Sequence, residues 1–405
     1  MRLNPDESFH FELLRNLSHA RYKGADVAEV LEAAGQLKGT DMESFYQAFI
    51  VLAERVDRQA QAVDAKRHPV SARDAFFRAS TYYRAADFYL HGNPDDPRIS
   101  ALWKKQTNAF DRAIALLPVP GRRVLLDAKD GSFQIPVIYL RAENAGPNDK
   151  RPTMILGNGF DGAQEEMLHI LGFAALERGY NVILYEGPGQ PTVRREQNKG
   201  FIPEWEKVVS PVVDFLVSLP EVLVSRIALV GYSMGGWLAV RAAAFEHRVA
   251  ATLAIDGVFD VHQAVHNMMP EEVRAHYDAG DFEKANESMK SMIDSGKAPV
   301  ALTWLVQQGN WSFKADSITD FMDKTRSFSL KDVVSSVKCP VWVGDAAEDI
   351  FFKGQPELVR DALGQLATYQ RLTAEDGAAN HCHVGATAHL NALVLDWFDD
   401  VTTQG

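Results

Sequence analysis

Residues 227–236 read Ile-Ala-Leu-Val-Gly-Tyr-Ser-Met-Gly-Gly, and no other segment is as informative. The four apolar residues 227–230 predict a short buried strand, and a small-residue helical run follows from Trp237 to Phe245. Between them lies a Gly-x-Ser-x-Gly pattern centred on Ser233, and a strand, a sharp turn and a helix are the context that a nucleophile elbow requires. We therefore predict that Ser233 is a nucleophile. An ordinary serine in a strand-to-helix turn is the alternative interpretation.

A nucleophilic serine requires a base, and an acid that orients the base. In proteins with this elbow the acid and then the histidine follow the serine along the chain. Residues 339–343 read as an apolar strand, and three carboxylates follow within residues 344–349. We predict Asp349 as the acid, because the apolar run 350–352 is typical of the residues after such an acid. Asp345 is the alternative, and either side chain could instead be a solvated charge or a helix cap.

The base is expected further along the chain, in the small-residue loop 377–386, which contains two histidines. We predict His381 because it comes first in the turn, with His383 as the alternative. Cys382 lies between these histidines, which raises the question of a metal site. The chain has only 2 cysteines, Cys339 and Cys382, and they provide no paired ligand spacing. The sequence therefore predicts no metal.

The third requirement is an oxyanion hole, in which two backbone N–H groups face the oxygen that becomes charged. The N–H of Met234, directly after the nucleophile, is the expected first donor. The second is expected from the loop 157–162, Gly-Asn-Gly-Phe-Asp-Gly, which follows the apolar strand 153–156. We predict that Phe160 donates and that Asp161 braces the loop. The loop matches neither a P-loop nor a dinucleotide fingerprint, so no cofactor is predicted.

A further segment of the chain resembles a segment of a known protein family. Residues 185–195 read Tyr-Glu-Gly-Pro-Gly-Gln-Pro-Thr-Val-Arg-Arg, and Phe201, Trp205 and the Pro-Val-Val-Asp of residues 211–214 follow. On these residues the chain from 122 to 405 resembles the α/β-hydrolase fold. The whole chain resembles a branch in which a helical domain precedes the hydrolase core. That branch includes a bacterial C–C hydrolase of dihydroxypseudooxynicotine and fungal hydrolases of the fusarin and cytochalasan clusters.

The resemblance implies a triad of Ser233, Asp349 and His381. It also implies polyketide-like or β-dicarbonyl substrates rather than lipids. The bacterial C–C hydrolase uses an additional acidic residue downstream of its nucleophile, and Asp256 and Asp260 lie in the comparable stretch of this chain.

The chain has 405 residues, too many for one compact core, and its patterns predict two domains. Apolar and aromatic residues at helical spacing predict an all-helical N-terminal domain over residues 1–120. Strands then alternate with helices over residues 121–405, which predicts a mostly parallel sheet with helices on both faces. The predicted parallel strands are 153–157, 181–185, 227–231, 251–256 and 339–344, and an antiparallel hairpin of strands 123–126 and 133–140 precedes them.

One segment, residues 261–330, interrupts the alternation with a helical pattern. An insertion at this point is expected to form a cap over the nucleophile. Its methionines and tryptophans suit a large, flat, apolar substrate, although packing within the cap would explain them equally well. We predict four substrate-binding residues: Asp161, Tyr232, Trp304 and Trp311.

Composition narrows the classes of partner. A formal net charge of −12 argues against nucleic acid or an anionic membrane, and hydrophobic and charged residues make up 46% and 24% of the chain. The N-terminus starts no signal-peptide pattern, and two cysteines favour a reducing compartment. We therefore predict a cytoplasmic protein whose partner is a small molecule, with a homodimer as the assembly to test.

Together these observations predict a serine hydrolase of secondary-metabolite biosynthesis or catabolism, acting on a bulky, polyketide-like molecule. The bond cleaved is an ester, a thioester or an activated C–C bond of a β-dicarbonyl, since all of these pass through similar oxyanions. The alternative is a non-hydrolytic pocket protein, or a condensation or cyclisation catalyst with the same fold.

Overall fold

A computed structural model describes residues 2–143, 146 and 149–403 of the chain, and its first part is helical, as predicted. The five helices are α1 Glu7–Ser18, α2 Val27–Ala34, α3 Met42–Ala62, α4 Pro69–Asp87 and α5 Pro97–Ile114. Aspartate side chains cap α1, α3 and α5; Asp41, for example, accepts from the Glu43 N–H at 3.0 Å. Aromatic side chains at helical spacing fill the interior of this region, where Phe45 stacks on Phe49 with ring centroids 4.8 Å apart.

Eight strands form a single sheet in the order β1-β2-β4-β3-β5-β6-β7-β8. They are β1 Arg122–Asp127, β2 Gln134–Leu140, β3 Arg151–Gly157, β4 Asn181–Tyr185, β5 Val222–Tyr232, β6 Ala251–Ile255, β7 Val341–Ala346 and β8 Ala367–Leu372. Strand β2 pairs antiparallel with β1 and β4, and all other neighbours are parallel. The predicted hairpin and mostly parallel sheet are therefore confirmed.

Helices lie between the strands and cover the sheet. Those of the core are, before the insertion, α6 Gln164–Met167, α7 Phe173–Glu177, α8 Pro191–Gln197, α9 Glu206–Val217 and α10 Gly235–Ala243. Every residue of β4, β6 and β7 is buried, and alternate side chains of a strand point to opposite faces. Both faces of the sheet are therefore covered.

The insertion after β6 is entirely helical. It contains α11 Val261–Met268, α12 Glu271–Asp278, α13 Phe282–Asp294, α14 Val300–Phe313 and α15 Ile318–Thr325. We call helices α11–α15 the cap. An antiparallel bridge between Asp260 and Ser329 joins the two ends of the insertion, so the cap rises from one point at the carboxyl end of the sheet.

Two helices complete the core, α16 Gln355–Leu363 and α17 Thr387–Thr403. Strand β8, which precedes α17, is the edge strand that the sequence did not predict. Its burial is incomplete and irregular, because only one neighbour and part of one face cover it. Within the described ranges, no helix combines the length and the apolar character needed to cross a lipid bilayer.

Buried ion pairs join the N-terminal helices to the core. Arg15 of α1 binds Glu166 of α6 with both Nε and Nη2, at 2.6 Å each, and its Nη1 lies 2.6 Å from Asp161. Next to these residues, Arg84 of α4 pairs with Glu12 of α1. Burial works against the charged form of Glu166, but Arg15 and Arg84 outweigh it and hold the pKa of Glu166 well below its usual range. The helices α1 and α4 are thereby fixed against the carboxyl end of the sheet.

Candidate active site

Ser233 lies in the turn between β5 and α10, and its backbone has the left-handed φ of +61°. A residue with a side chain rarely adopts this conformation, and here the turn makes room for it by having glycine at its ends. A Cβ atom on Gly231 would lie 1.8 Å from the carbonyl oxygen of Gly235. The Ser233 N–H donates to Ile255 O of the neighbouring strand β6 at 2.8 Å, which holds the turn against the sheet. The side chain of Ser233 lines a cavity beneath the cap.

His381 connects Ser233 to Asp349. Its Nε2 atom lies 2.9 Å from Ser233 Oγ, and its Nδ1 atom lies 2.8 Å from Asp349 Oδ2. The other oxygen of Asp349 accepts from the backbone N–H groups of Phe351 and Phe352, at 2.6 and 2.9 Å. These two bonds fix the carboxylate.

The two alternatives from the sequence lie elsewhere. Asp345 accepts hydrogen bonds from the Tyr369 hydroxyl at 2.5 Å and the Arg371 guanidinium at 2.6 Å, both on β8. The Nδ1 atom of His383 lies 2.8 Å from Ala378 O, within the same loop. The structure therefore places neither Asp345 nor His383 against Ser233.

Asp256, at the end of β6, is a second carboxylate on the same histidine. Its Oδ2 atom lies 2.7 Å from His381 Nδ1 and also accepts the Cys382 N–H at 2.8 Å. The residue is fully buried and has a φ of +59°. The sequence alone does not distinguish Asp256 from Asp260 as this additional acid; Asp260 instead caps α11 by accepting the Gln263 N–H at 2.8 Å. The signal for Asp256 is its place at the carboxyl end of a parallel strand, where functional groups of such sheets gather.

The two carboxylates change the protonation of the site. Burial alone would disfavour a charged imidazole, but Asp349 and Asp256 outweigh it, so the pKa of His381 lies well above its usual value. Burial is also the largest influence on Asp256, and it is overcome by His381, which lowers the pKa of Asp256 to about 2. For Asp349, burial and the neighbouring Asp256 prevail, and its pKa is raised. The imidazole of His381 is thus a stronger base than an ordinary histidine.

Two backbone N–H groups beside Ser233 are free to bind an oxyanion. Those of Phe160 and Met234 donate to no acceptor among the described residues, and both residues line the cavity with Ser233. The loop 157–162 approaches the nucleophile elbow so closely that a Cβ atom on Gly159 would lie 2.8 Å from the Met234 nitrogen. Glycine at this position therefore allows the two donors to face the same space.

Comparison with known proteins places this arrangement in a family. Residues 154–393 match the model of the alpha/beta hydrolase family. The chain belongs to the alpha/beta hydrolases. It is 31% identical over 408 residues to the hydrolase LUC6 of Fusarium sp, covering 98% of this chain and 97% of that relative. It is also 31% identical over 415 residues to the 20-hydroxy-prefusarin hydrolase FUS2 of Gibberella moniliformis, covering 96% of each.

A solved structure shows the same fold over the whole length. The crystal structure of the 2,6-dihydroxy-pseudo-oxynicotine hydrolase superposes with a TM-score of 0.73 at 21% identity, covering 96% of this chain and 97% of that one. The likeness includes the N-terminal helices as well as the alpha/beta hydrolase core, since the core alone does not account for such coverage.

The alpha/beta hydrolase cavity is closed on three sides. Helix α1 contributes Phe11 and Arg15, the cap contributes a largely apolar roof, and the segment after β7 contributes Ile350 and the two phenylalanines that follow. The roof residues are Val261, Ala264, Val265, Met268, Trp304, Leu305, Phe313 and Phe321. The free space is about 60 Å³, which is room for a few water molecules. A larger ligand must displace part of this wall.

The four predicted substrate-binding residues have different positions. Asp161, Tyr232 and Trp304 line the cavity. The Tyr232 hydroxyl has no hydrogen-bond partner among the described side chains, and burial keeps the pKa of Tyr232 well above its usual value. Trp311 does not line the cavity, so the structure contradicts its predicted place there. Its ring is stacked on His91 instead, with centroids 4.2 Å apart, at the junction of the cap and the N-terminal helices.

Proposed function

We propose that this alpha/beta hydrolase uses Ser233 as a nucleophile, His381 as its base and Asp349 to orient the base. The observation that carries the proposal is the 2.9 Å contact between Ser233 Oγ and His381 Nε2 on a strained elbow, next to the free N–H groups of Phe160 and Met234. The hydroxyl proton passes to His381 while Oγ attacks a carbonyl carbon, and the two N–H groups bind the oxygen that becomes charged. His381 then protonates the leaving group, and water releases the acyl group from Ser233.

For the substrate we propose a neutral, apolar molecule of the polyketide class with an ester, thioester or β-dicarbonyl group. The lining is dominated by aromatic and aliphatic side chains, and Arg15, the one arginine or lysine among its described residues, is already paired with Glu166 and Asp161. An acidic substrate would therefore find no unpaired arginine or lysine in this lining. The name of the relative from Gibberella moniliformis, which acts on 20-hydroxy-prefusarin, supports the same class.

A fluorophosphonate probe tests the nucleophile. The wild-type protein should be labelled at Ser233 and should hydrolyse p-nitrophenyl acetate, whereas Ser233→Ala should lose labelling and at least about 10⁴-fold in kcat. Its melting temperature should stay close to wild type, because the hydroxyl supplies chemistry rather than packing. An alanine variant that keeps more than about a tenth of the wild-type rate removes Ser233 from the mechanism.

A further inference from the structure

The loop that carries the Phe160 N–H is held by two buried glutamines. Gln190, in the family segment 185–195, is fully buried, and its Nε2 donates to Asn158 O at 2.7 Å and to Gly159 O at 3.1 Å. Gln308 of the cap helix α14 is 1% exposed, and its Nε2 donates to Phe160 O at 3.0 Å. Consecutive carbonyl groups of the loop are thus held from the core on one side and from the cap on the other.

These bonds determine where the Phe160 N–H points. In a trans peptide the C=O and N–H groups point in opposite directions. Because Gln190 binds the carbonyl of Gly159, the Phe160 N–H of the same peptide is directed away from Gln190. A flip of that peptide would break this bond, and Gln308 holds the next peptide, on the other side of the Phe160 Cα. Both peptide planes beside Phe160 are therefore fixed.

Gln308 also reaches the N-terminal helical region. A carbonyl oxygen can only accept, so the amide nitrogen of Gln308 faces Phe160 and its Oε1 faces His91 Nδ1, 2.6 Å away. His91 lies just after α4 and must carry its proton on Nδ1 to donate. Its ring is stacked on Trp311, one helical turn along α14 from Gln308. The hydrogen bonds run from the N-terminal region through the cap to the candidate oxyanion hole.

We propose that Gln190 and Gln308 are positioning residues that aim the Phe160 N–H at the oxyanion, and that the hole is complete only when the cap is seated against His91 and the loop. This inference rests on the proposed serine mechanism. Gln190 belongs to the core and holds the loop in any position of the cap. Gln308 belongs to the cap, so its bond to Phe160 O forms only when the cap is in place. A cap displaced by an entering substrate would leave the Phe160 carbonyl without its partner until the cap returns.

The test compares Gln308→Leu with Gln307→Leu. Gln307 is the neighbouring residue on α14, and its amide lies against Gly92 rather than the loop, so the same substitution leaves the hole intact. The measurements are kcat and KM for p-nitrophenyl acetate, the rate of fluorophosphonate labelling, and the Kd of phenylboronic acid, whose serine adduct places an oxygen in the hole. Gln190→Leu serves as the variant that acts from the core.

Gln308→Leu should lower kcat about tenfold or more and raise the Kd of phenylboronic acid by the same factor, with KM within about twofold of wild type. Gln190→Leu should cost about 100-fold in kcat, and Gln307→Leu should resemble wild type. If Gln308→Leu does not fold, His91→Phe retains an aromatic ring to stack on Trp311 and removes the donor to Gln308, together with the 3.3 Å contacts of His91 Nε2 with Asp87 and Arg195. A smaller loss of the same kind is expected.

The inference is overturned if kcat and boronate affinity of the folded Gln308→Leu or His91→Phe variant stay within twofold of wild type, or if Gln307→Leu loses as much. A wild-type protein that the fluorophosphonate does not label would instead overturn the proposed mechanism. If the fluorophosphonate labels the wild type but Gln308→Leu keeps wild-type kcat and boronate affinity, the positioning role is overturned and the proposed serine mechanism still stands.

Discussion

At the scale of single residues, the choice between two carboxylates on neighbouring segments can be tested directly. Asp349 lies on His381, whereas Asp345 is bound by Tyr369 and Arg371 of β8. Asp349→Asn should therefore lower kcat/KM by about 100-fold or more, and Asp345→Asn should leave it within about threefold, while lowering stability. Equal losses of kcat/KM in the two variants would contradict the assignment of Asp349 as the orienting acid.

The second carboxylate on His381 predicts an unusual pH dependence. The base must be neutral to accept the serine proton, so kcat/KM falls as pH drops through the pKa of His381, which Asp349 and Asp256 raise. Asp256→Asn removes one of these charges, and the acid limb of the pH profile should move to lower pH. Asp260→Asn is the matched control, because Asp260 caps α11 and does not touch His381. An acid limb that stays in place, or moves upward, would mean that Asp256 does not influence the base.

At the scale of the elements, the position of the cap predicts which residues discriminate between bulky and small substrates. Trp304 lines the cavity, with its ring 5.8 Å from Phe160 and 5.0 Å from Phe88, whereas Trp311 lies on His91 outside the lining. Trp304→Ala should raise KM for a bulky aromatic ester about tenfold, equivalent to about 1.4 kcal/mol of lost apolar contact, and should leave KM for p-nitrophenyl acetate nearly unchanged. Trp311→Ala should leave both KM values near wild type and lower the melting temperature. The same rise in KM for both variants would show that the cavity extends to Trp311.

Strands buried on both faces were predictable from the sequence, and so was edge strand β1 as part of a hairpin, whereas edge strand β8 was not. The apolar runs of β4, β6 and β7 reflect burial on two faces. Edge strand β8 has no such run, since solvent replaces one neighbour. Helix α4 begins at Pro69, because proline already has the backbone angle of a first helical residue.

In the predicted site, too, some residues could be chosen from the sequence and others could not. Chain order and local pattern were enough to select Ser233, Asp349 and His381, which the structure brings together. Asp256 could not be chosen, because no spacing along the chain gives the distance between the end of β6 and the loop that carries His381. Trp311 follows Trp304 by seven residues and so shares its helix face. However, the cavity does not extend as far as the Trp311 ring, which packs against His91 of the N-terminal region instead.

At the scale of the whole molecule, the helical region and the core should unfold together. Arg15 of α1 is 6% exposed and pairs with Glu166 and Asp161 of the core. Arg15→Met would leave the buried carboxylate of Glu166 and the partly buried carboxylate of Asp161 without this partner, and removing one member of a buried pair costs about 3–5 kcal/mol. Arg98→Met is the matched control, because the pairs of Arg98 with Glu43 and Asp96 lie within the helical region and the Arg98 side chain is 34% exposed, so exposed pairing of this kind should contribute about 0–1 kcal/mol.

Urea unfolding followed by tryptophan fluorescence and far-ultraviolet circular dichroism measures both losses. For the wild type the two signals should coincide in one transition, since Arg15 fixes α1 to the loop that carries Phe160 and to α6. Arg15→Met should shift that transition to lower urea by several times the shift of Arg98→Met. It should also lower kcat for p-nitrophenyl acetate, because Asp161 follows Phe160 directly and loses its main partner. Similar shifts for the two variants, or a separate early transition of the wild-type helical region, would show that the N-terminal helices rest on the alpha/beta hydrolase core without stabilising it or its active site.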